Sequence, residues 1–269
     1  MWHPSRNIWE LISVSKISDA FIGGKALITF VTGGDPDIGT TKKLIAAMEE
    51  AGADIIEIGI PFSDPIAEGI VIQKADERAL AAGCTVDGLF GMVSDIRKDV
   101  GVPLLFMTYI NPIFAYGKEK FMRRCKECGI DGVIVPDMPF EERGELAEES
   151  KMFGIPIISM ISPTSGERVR MISKEAEGFL YCVSSLGVTG TRSTLDKGIG
   201  DMIIVAKEAS SIPCAIGFGI SDGVQAKEMS KISDGVIVGS AIVKIVAEHG
   251  TESTEHVRRF VRELKDAVS

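Results

Sequence analysis

Glu57 stands alone in Ala53-Asp54-Ile55-Ile56-Glu57-Ile58-Gly59-Ile60, a short apolar run of strand character. Side chains alternate faces along a strand, so Ile56, Ile58 and Ile60 point one way, and Ile55, Glu57 and Gly59 the other. A carboxyl group placed there faces an interior, where ionisation is costly. Its expected pKa is raised, which suits proton transfer near neutral pH. The following loop, Pro61-Phe62-Ser63-Asp64-Pro65-Ile66-Ala67-Glu68-Gly69, adds a second carboxylate, Glu68. The three histidines, His3, His249 and His256, lie near the two ends, outside the strand–loop segments. Chemistry built on Ser–His or Cys–His pairs is therefore not expected, and acid–base work falls to carboxylates, Tyr or Lys. The bland alternatives are an ion pair for Glu57 inside a barrel, although no strand offers an obvious inward cation, and simple solvation for Glu68. Asp64 could cap a turn between prolines or contact another chain.

A second group of residues could bind an anion. The runs Ser184-Ser185-Leu186-Gly187-Val188-Thr189-Gly190-Thr191, Gly217-Phe218-Gly219-Ile220-Ser221 and Gly239-Ser240-Ala241 each follow a predicted strand, and the last leads into a helix. Glycine lets backbone N–H groups come close to an anion, and a helix N-terminus adds unpaired donors. One such turn is ordinary; three in succession predict a phosphate site. Phe30, Tyr109 and Tyr181 lie at strand ends and could line a flat apolar pocket or simply fill the core.

The elements that must position these groups recur in a pattern. A helix ends in glycine and a strand follows, at Gly52, Gly129 and Gly154, which suit a left-handed position after a helix. The predicted strands are Leu27–Val31, Asp54–Ile60, Pro103–Tyr109, Ile130–Val135, Ile155–Ile161, Gly178–Ser184, Ile212–Gly217 and Ser233–Val238. Most are continuous apolar runs, as in parallel strands covered on both faces. Helices are predicted over Thr40–Gly52, and over about Ile70–Ala82 and Val86–Lys98 in the one long gap; residues 1–20 and Thr251–Val268 form extra helices. This predicts an α/β fold, a single (β/α)8 TIM barrel with extra N-terminal and inserted helices, in which active sites lie on the loops after the strands. A doubly wound open sheet is the alternative. No linker divides residues 1–269, and residues 1–14 read as an N-terminal extension.

Composition excludes several classes. The chain has 269 residues, 45% of them hydrophobic, and a net charge of −9. No basic block or aromatic–arginine platform is present, which argues against nucleic acid. No apolar stretch reaches the length of a membrane span, and the first residues lack a signal-peptide core, so a cytoplasmic protein is expected. The five cysteines, 84, 125, 128, 182 and 214, do not form a disulfide framework. Cys125 and Cys128 form a C-x-x-C on a helix without a second pair or a nearby His. They read as half-buried helix cysteines, and no metal site is expected.

The segments Gly33-Gly34-Asp35-Pro36-Asp37, Glu57 through Pro65, Pro136-Asp137-Met138-Pro139, Gly187-Val188-Thr189-Gly190, Gly217 through Ser221 and Val238-Gly239-Ser240-Ala241 together resemble the tryptophan synthase alpha chain family, from about Ile17 to Arg259. The second segment is the most specific. The resemblance implies a TIM barrel that cleaves indole-3-glycerol phosphate to indole and glyceraldehyde 3-phosphate. It also implies a partner, the tryptophan synthase beta chain, in an alpha2-beta2 complex; the pyridoxal phosphate belongs to that partner and no cofactor to this chain. The family's catalytic glutamate falls on Glu57. Its second carboxylate, normally Asp in Ala-Asp-Gly-Pro, falls on Glu68 in Ala67-Glu68-Gly69-Ile70, a departure that adds a methylene and removes a rigid φ. The resemblance places the indole between Phe30, Ile72, Tyr109 and Tyr181, and the phosphate at Thr189, Gly190, Gly219, Gly239 and Ser240, with a loop around Thr189–Lys197 able to close over them. Asp64, Asn111 and Pro139 match family interface positions. Two other readings stay open: another phosphate-binding barrel such as a sugar-phosphate isomerase, and a regulatory subunit that binds phosphate ligands with weak or no catalysis.

Overall fold

The computed structural model describes residues 16–183, 192–217 and 219–269, the side chains of residues 16 and 192–197 apart. In chain order the elements are α1 (Lys16–Asp19), β1 (Ala26–Thr32), α2 (Ile38–Glu50), β2 (Ile55–Gly59), α3 (Ile70–Ala81), α4 (Val86–Ile96), β3 (Leu104–Met107), α5 (Ile110–Tyr116), α6 (Lys118–Cys128), β4 (Gly132–Ile134), α7 (Gly144–Phe153), β5 (Ser159–Ile161) and α8 (Gly166–Glu175). They continue with β6 (Leu180–Val183), α9 (Arg192–Ala209), β7 (Cys214–Gly217), α10 (Gly223–Ser230), β8 (Gly235–Val238), α11 (Ser240–His249) and α12 (Thr254–Val268).

All eight expected strands form, parallel, in the order β4-β3-β2-β1-β8-β7-β6-β5. The two ends of this sheet meet through a parallel bridge between Val133 and Ile157, where the Val133 N–H donates to Pro156 O and the Ile158 N–H donates to Val133 O, each at 2.9 Å. The sheet therefore closes into a nearly complete barrel, with the doubly wound alternative excluded. β5 is shorter than the predicted Ile155–Ile161, because Pro156 lacks a ladder N–H and only its carbonyl takes part.

The two faces of each strand serve different cores. Ile56, Ile58 and Ile60 pack outward against α2 and α4 residues such as Leu44, Met48 and Phe90. Ile28, Ile55, Leu105, Ala215 and Ile237 point into the barrel and form a layer plugged by Ile17 of α1 and by Phe179. Helix ends follow local chemistry. Gly52, Gly129 and Gly154 take φ of 102°, 88° and 64°, as their positions after helices predict. α2 starts at Ile38, before the predicted Thr40, because the Asp37 side chain accepts the Thr40 N–H at 2.7 Å and caps the helix. α9 starts at Arg192, so the loop expected over Thr189–Lys197 gives way to helix for most of its length.

Cys125 and Cys128 are more buried than half-buried helix residues would be, at 0% and 2% exposure, and burial pushes both thiols up, Cys128 to about 11. Among the described residues no cluster of three metal-ligating side chains occurs, and no single helix is long and apolar enough to cross a membrane.

Candidate active site at the barrel mouth

Glu57 occupies the middle of β2, between Phe30 of β1 and Leu105 of β3 in the strand register. It shares the inward face with Ile55, as the period-two reading requires. Its exposure is 0%, and among the described residues neither carboxyl oxygen meets a donor. Burial lifts its pKa to about 8. At neutral pH the group is a neutral acid, held ready to give up a proton and stable in the protonated form because nothing nearby compensates a charge.

Aromatic side chains stand around it. The Phe30 ring lies against Gly59 and Gly239: a Cβ at position 59 would come within 2.6 Å of the ring, and one at 239 within 3.3 Å of Phe30 Cβ. Phe30 packs in one cluster with Ile72 and Ala75 of α3, Val243 of α11, and Met107. Tyr181, on β6, lies over Gly217, where a Cβ would come within 2.5 Å of the ring. Burial first, and the charge of Glu57 second, push the Tyr181 hydroxyl well above its ordinary pKa, so the phenol faces the carboxyl across the barrel. Phe30, Ile72 and Tyr181 thus share the inner mouth with Glu57. Tyr109 has a different duty: its hydroxyl accepts the Ala67 N–H at 2.9 Å, and its ring packs on Phe62 at 5.4 Å, so it braces the loop after β2.

That loop delivers Glu68. The Gln73 side-chain amide donates to Glu68 O at 2.8 Å and fixes the backbone just before α3. Burial raises the Glu68 pKa, and Oε2 is shielded from solvent without a donor. Two features nearby were not singled out from the sequence. Asp35, 1% exposed in the turn after β1, takes a two-pronged ion pair from Arg78 of α3, at 2.8 and 2.7 Å. Asp76, also on α3, is 4% exposed and lies within hydrogen-bonding reach of Glu68. The sequence held a signal for it: Ile72, Ala75, Asp76 and Ala79 follow the i, i+3, i+4, i+7 stripe of a buried helix face, and one position of that stripe is a carboxylate.

Opposite, Gly219 takes φ of 72° with open space around it, and Gly239 starts α11 without a side-chain cap, leaving the first N–H groups of that helix for another acceptor. Ser240 is exposed at the same end. Thr189 and Gly190, expected to complete this cradle, lie outside the described residues. Asp64 and Pro139, in the loops after β2 and β4, and Asn111, in the first turn of α5 after β3, are all exposed. A cavity of about 1350 Å³ lies elsewhere, along β5 between α7 and α8, and includes neither Glu57 nor Glu68. Arg143 and Arg168 on its wall are half-buried and already paired with Glu175 and Glu141. The buried carboxyl with the raised pKa lies in the barrel and not in this groove, which makes the mouth the candidate site.

The comparisons agree with this geometry. The family profile described as tryptophan synthase alpha chain matches residues 20–269. The tryptophan synthase alpha chain of Lacticaseibacillus casei is 43% identical over 255 residues, covering 95% of this chain and 96% of that protein. That of Alkaliphilus metalliredigens is 47% identical over 243 residues, covering 89% and 91%. Among solved structures, tryptophan synthase subunit alpha from Legionella pneumophila superposes with a TM-score of 0.86 at 33% identity, covering 95% of this chain and 99% of that one. A chain of the tryptophan synthase complex from Pyrococcus furiosus does so with a TM-score of 0.81 at 36% identity, covering 90% and 98%. With its barrel, its inward glutamate and these likenesses over nearly its whole length, the chain belongs to the tryptophan synthase alpha chain family.

Proposed function

We propose that Glu57 is the proton-transferring acid and base, and Glu68 the acceptor of the indole N–H, in the reaction of this family. The chain is a lyase: it cleaves indole-3-glycerol phosphate to indole and glyceraldehyde 3-phosphate in tryptophan biosynthesis. The reading as a non-catalytic phosphate-binding subunit is not favoured.

The bond to be broken joins ring carbon 3 of the indole to the glycerol phosphate side chain. It cleaves readily only when the ring can take up the bonding electron pair. Protonation of carbon 3 by neutral Glu57 creates that sink and places positive charge on the ring nitrogen. A carboxylate at Glu68, accepting the N–H, stabilises this charge. Glu57, now anionic, takes the proton of the side-chain hydroxyl. The O–H electrons become the aldehyde C=O, the C–C pair returns to the ring, and indole leaves. Each role is of the kind that contributes on the order of 10²–10⁴ in rate. Phe30, Ile72 and Tyr181 would hold the indole plane, with Tyr109 shaping the wall through the loop it braces. Gly219, Gly239 and Ser240, joined by Thr189 and Gly190, would hold the phosphate and so fix the scissile bond against Glu57.

The observation that carries this reading is a fully buried carboxyl without a hydrogen-bond partner among the described residues, aimed into the barrel beside Phe30 and Tyr181. The expected partner is a beta chain, docking where Asp64, Asn111 and Pro139 are exposed. The pyridoxal phosphate belongs to that chain, and none of the chemistry here passes through it. Indole release from indole-3-glycerol phosphate, measured with and without a beta chain, tests the proposal. Turnover that rises on adding the partner supports both roles; no indole in either condition overturns them.

A further inference from the structure

Glu68 does not stand alone. Asp76 faces it from α3, buried to 4% exposure on the same stripe as Ile72, Ala75 and Ala79. Glu68 Oε2 is closed off from solvent, yet no N–H or O–H of the described residues donates to it. Among the described residues no cation compensates the pair. The one guanidinium nearby, Arg78, spends its fork on Asp35. The Tyr109 hydroxyl, close to both carboxyls, accepts the Ala67 N–H and makes no hydrogen bond to Glu68 Oε2. Lys74 and Glu77 on α3, and Lys244 and Glu248 on the neighbouring α11, are exposed to solvent. A buried carboxylate beside a half-buried one whose inner oxygen is closed off from solvent, without a positive partner among the described residues, retains one proton with it. Burial, then the charge of Glu68 and the hydrogen bond to it, pushes Asp76 up to about 8, with Asp35 adding in the same direction and the Phe62 N–H opposing them.

We infer that Asp76 is the positioning residue for Glu68: it carries the proton the two share, donates it to the otherwise orphaned Oε2, and leaves Oε1 as the acceptor for the indole N–H. The inference rests on the assignment of Glu68 made above. It accounts for how a carboxyl placed so near another can still act as an anion: the neighbour takes the proton and returns it as a hydrogen bond. The fixed O–H also holds the longer Glu side chain in one orientation. Above the upper titration step of the pair, Asp76 ionises, the hydrogen bond becomes a repulsion, and Glu68 loses its orientation.

The test is the pH profile of kcat/KM for indole release by the full chain and by the Asp76→Asn, Asp76→Ala and Glu68→Gln variants. Asn still donates an N–H to Glu68 but cannot ionise; Ala does neither. The parent needs both Glu57 and the pair protonated, so its alkaline limb falls with two protons. Asp76→Asn stays within about threefold of the parent at pH 7 and falls with one proton, whereas Asp76→Ala loses about tenfold or more at pH 7. An unchanged order of the alkaline limb in Asp76→Asn, or Asp76→Asn as impaired as Asp76→Ala, overturns the inference. Glu68→Gln separates the two levels: parental kcat/KM in that variant sinks the assignment of Glu68 itself, while a loss there combined with an unchanged limb in Asp76→Asn sinks only the proton sharing. Infrared spectra in the Glu57→Gln background provide a readout independent of activity. A protonated-carboxyl band at pH 7 that vanishes with Asp76→Asn, or on raising the pH past about 8 where that variant does not fold, supports the shared proton. No such band at pH 7 overturns it.

Discussion

Replacing Glu57 by Gln should make the protein a poorer enzyme and, at alkaline pH, a relatively more stable one. Burial alone lifts the pKa of this carboxyl from 4.5 to about 8 in the fold. Below about pH 4.5 the folded and unfolded chains both hold the proton, and the group does not affect their balance. As pH rises the unfolded chain ionises, the folded one does not, and stability drains away at about 1.4 kcal/mol per unit until the folded group titrates as well. Between pH 5.5 and 7.5 this single carboxyl should therefore cost the parent on the order of 3 kcal/mol. Gln has nearly the same shape and no titration, so this slope disappears. Asp76 and Glu68, which are raised too, act alike in parent and variant, and the difference between the two proteins isolates Glu57.

Urea unfolding at the two pH values measures the difference directly. The parent should lose about 3 kcal/mol more than the variant on going from 5.5 to 7.5. In parallel, indole release at pH 7 should fall by 10²–10⁴, or about 3–5 kcal/mol of barrier. The opposite signs matter, because a misfolded variant would lose stability and activity together. Equal pH slopes of stability would refute the burial argument, and undiminished cleavage would refute the catalytic one.

Other perturbations reach the scaffold. Tyr109→Phe removes the acceptor of the Ala67 N–H and should weaken the loop after β2 by about 1 kcal/mol. That should appear as faster exchange of the Ala67 amide and a roughly fivefold lower kcat/KM, with the unfolding midpoint nearly unchanged. Gly59→Ala drives a methyl to within 2.6 Å of the Phe30 ring and should cost about 1–3 kcal/mol in urea unfolding, with activity lost alongside. Asp37→Ala removes the cap of α2 and should cost about 1 kcal/mol at pH 7. The Thr40 N–H holds the Asp37 pKa below its ordinary value, so the cap's contribution is lost as pH falls, and parent and variant should converge in acid.

Much of this was readable before any coordinates. Eight strands stood out because parallel strands covered on both faces are apolar throughout. Glu57 stood out because a period of two fixes which face a strand residue takes, and its neighbours Ile56 and Ile58 confirm the outward face by packing on α2 and α4. What escaped notice depends on contacts between segments distant in the sequence. The start of α9 was obscured by a Gly-, Thr- and Ser-rich composition that resembles a loop. The Asp35–Arg78 pair joins the turn after β1 to α3, and no local pattern links those positions. Asp76 was legible in principle, as a charge on an apolar helix stripe, but its significance lies in Glu68, whose position is set by a loop that Tyr109 and Gln73 tie down.

The strand-end glycines show why residue type alone could not resolve the mouth. Gly217, Gly219 and Gly239 read alike in sequence, as places where a backbone can approach an anion. In the fold they divide by what a side chain would meet. At 217 a Cβ would strike the Tyr181 ring, and at 239 it would press on Phe30, so these two positions are bare in order to seat the aromatic walls beside Glu57. At 219 a Cβ meets nothing, and the requirement is instead the positive φ, which turns the backbone where an anion would sit. Gly239 serves twice, since it also starts α11 without a cap. The ring wall and the anion cradle are thus built from the same short turns. A change that enlarges Gly239 shifts both, so the seats for the apolar and the charged ends of the substrate are coupled at that residue.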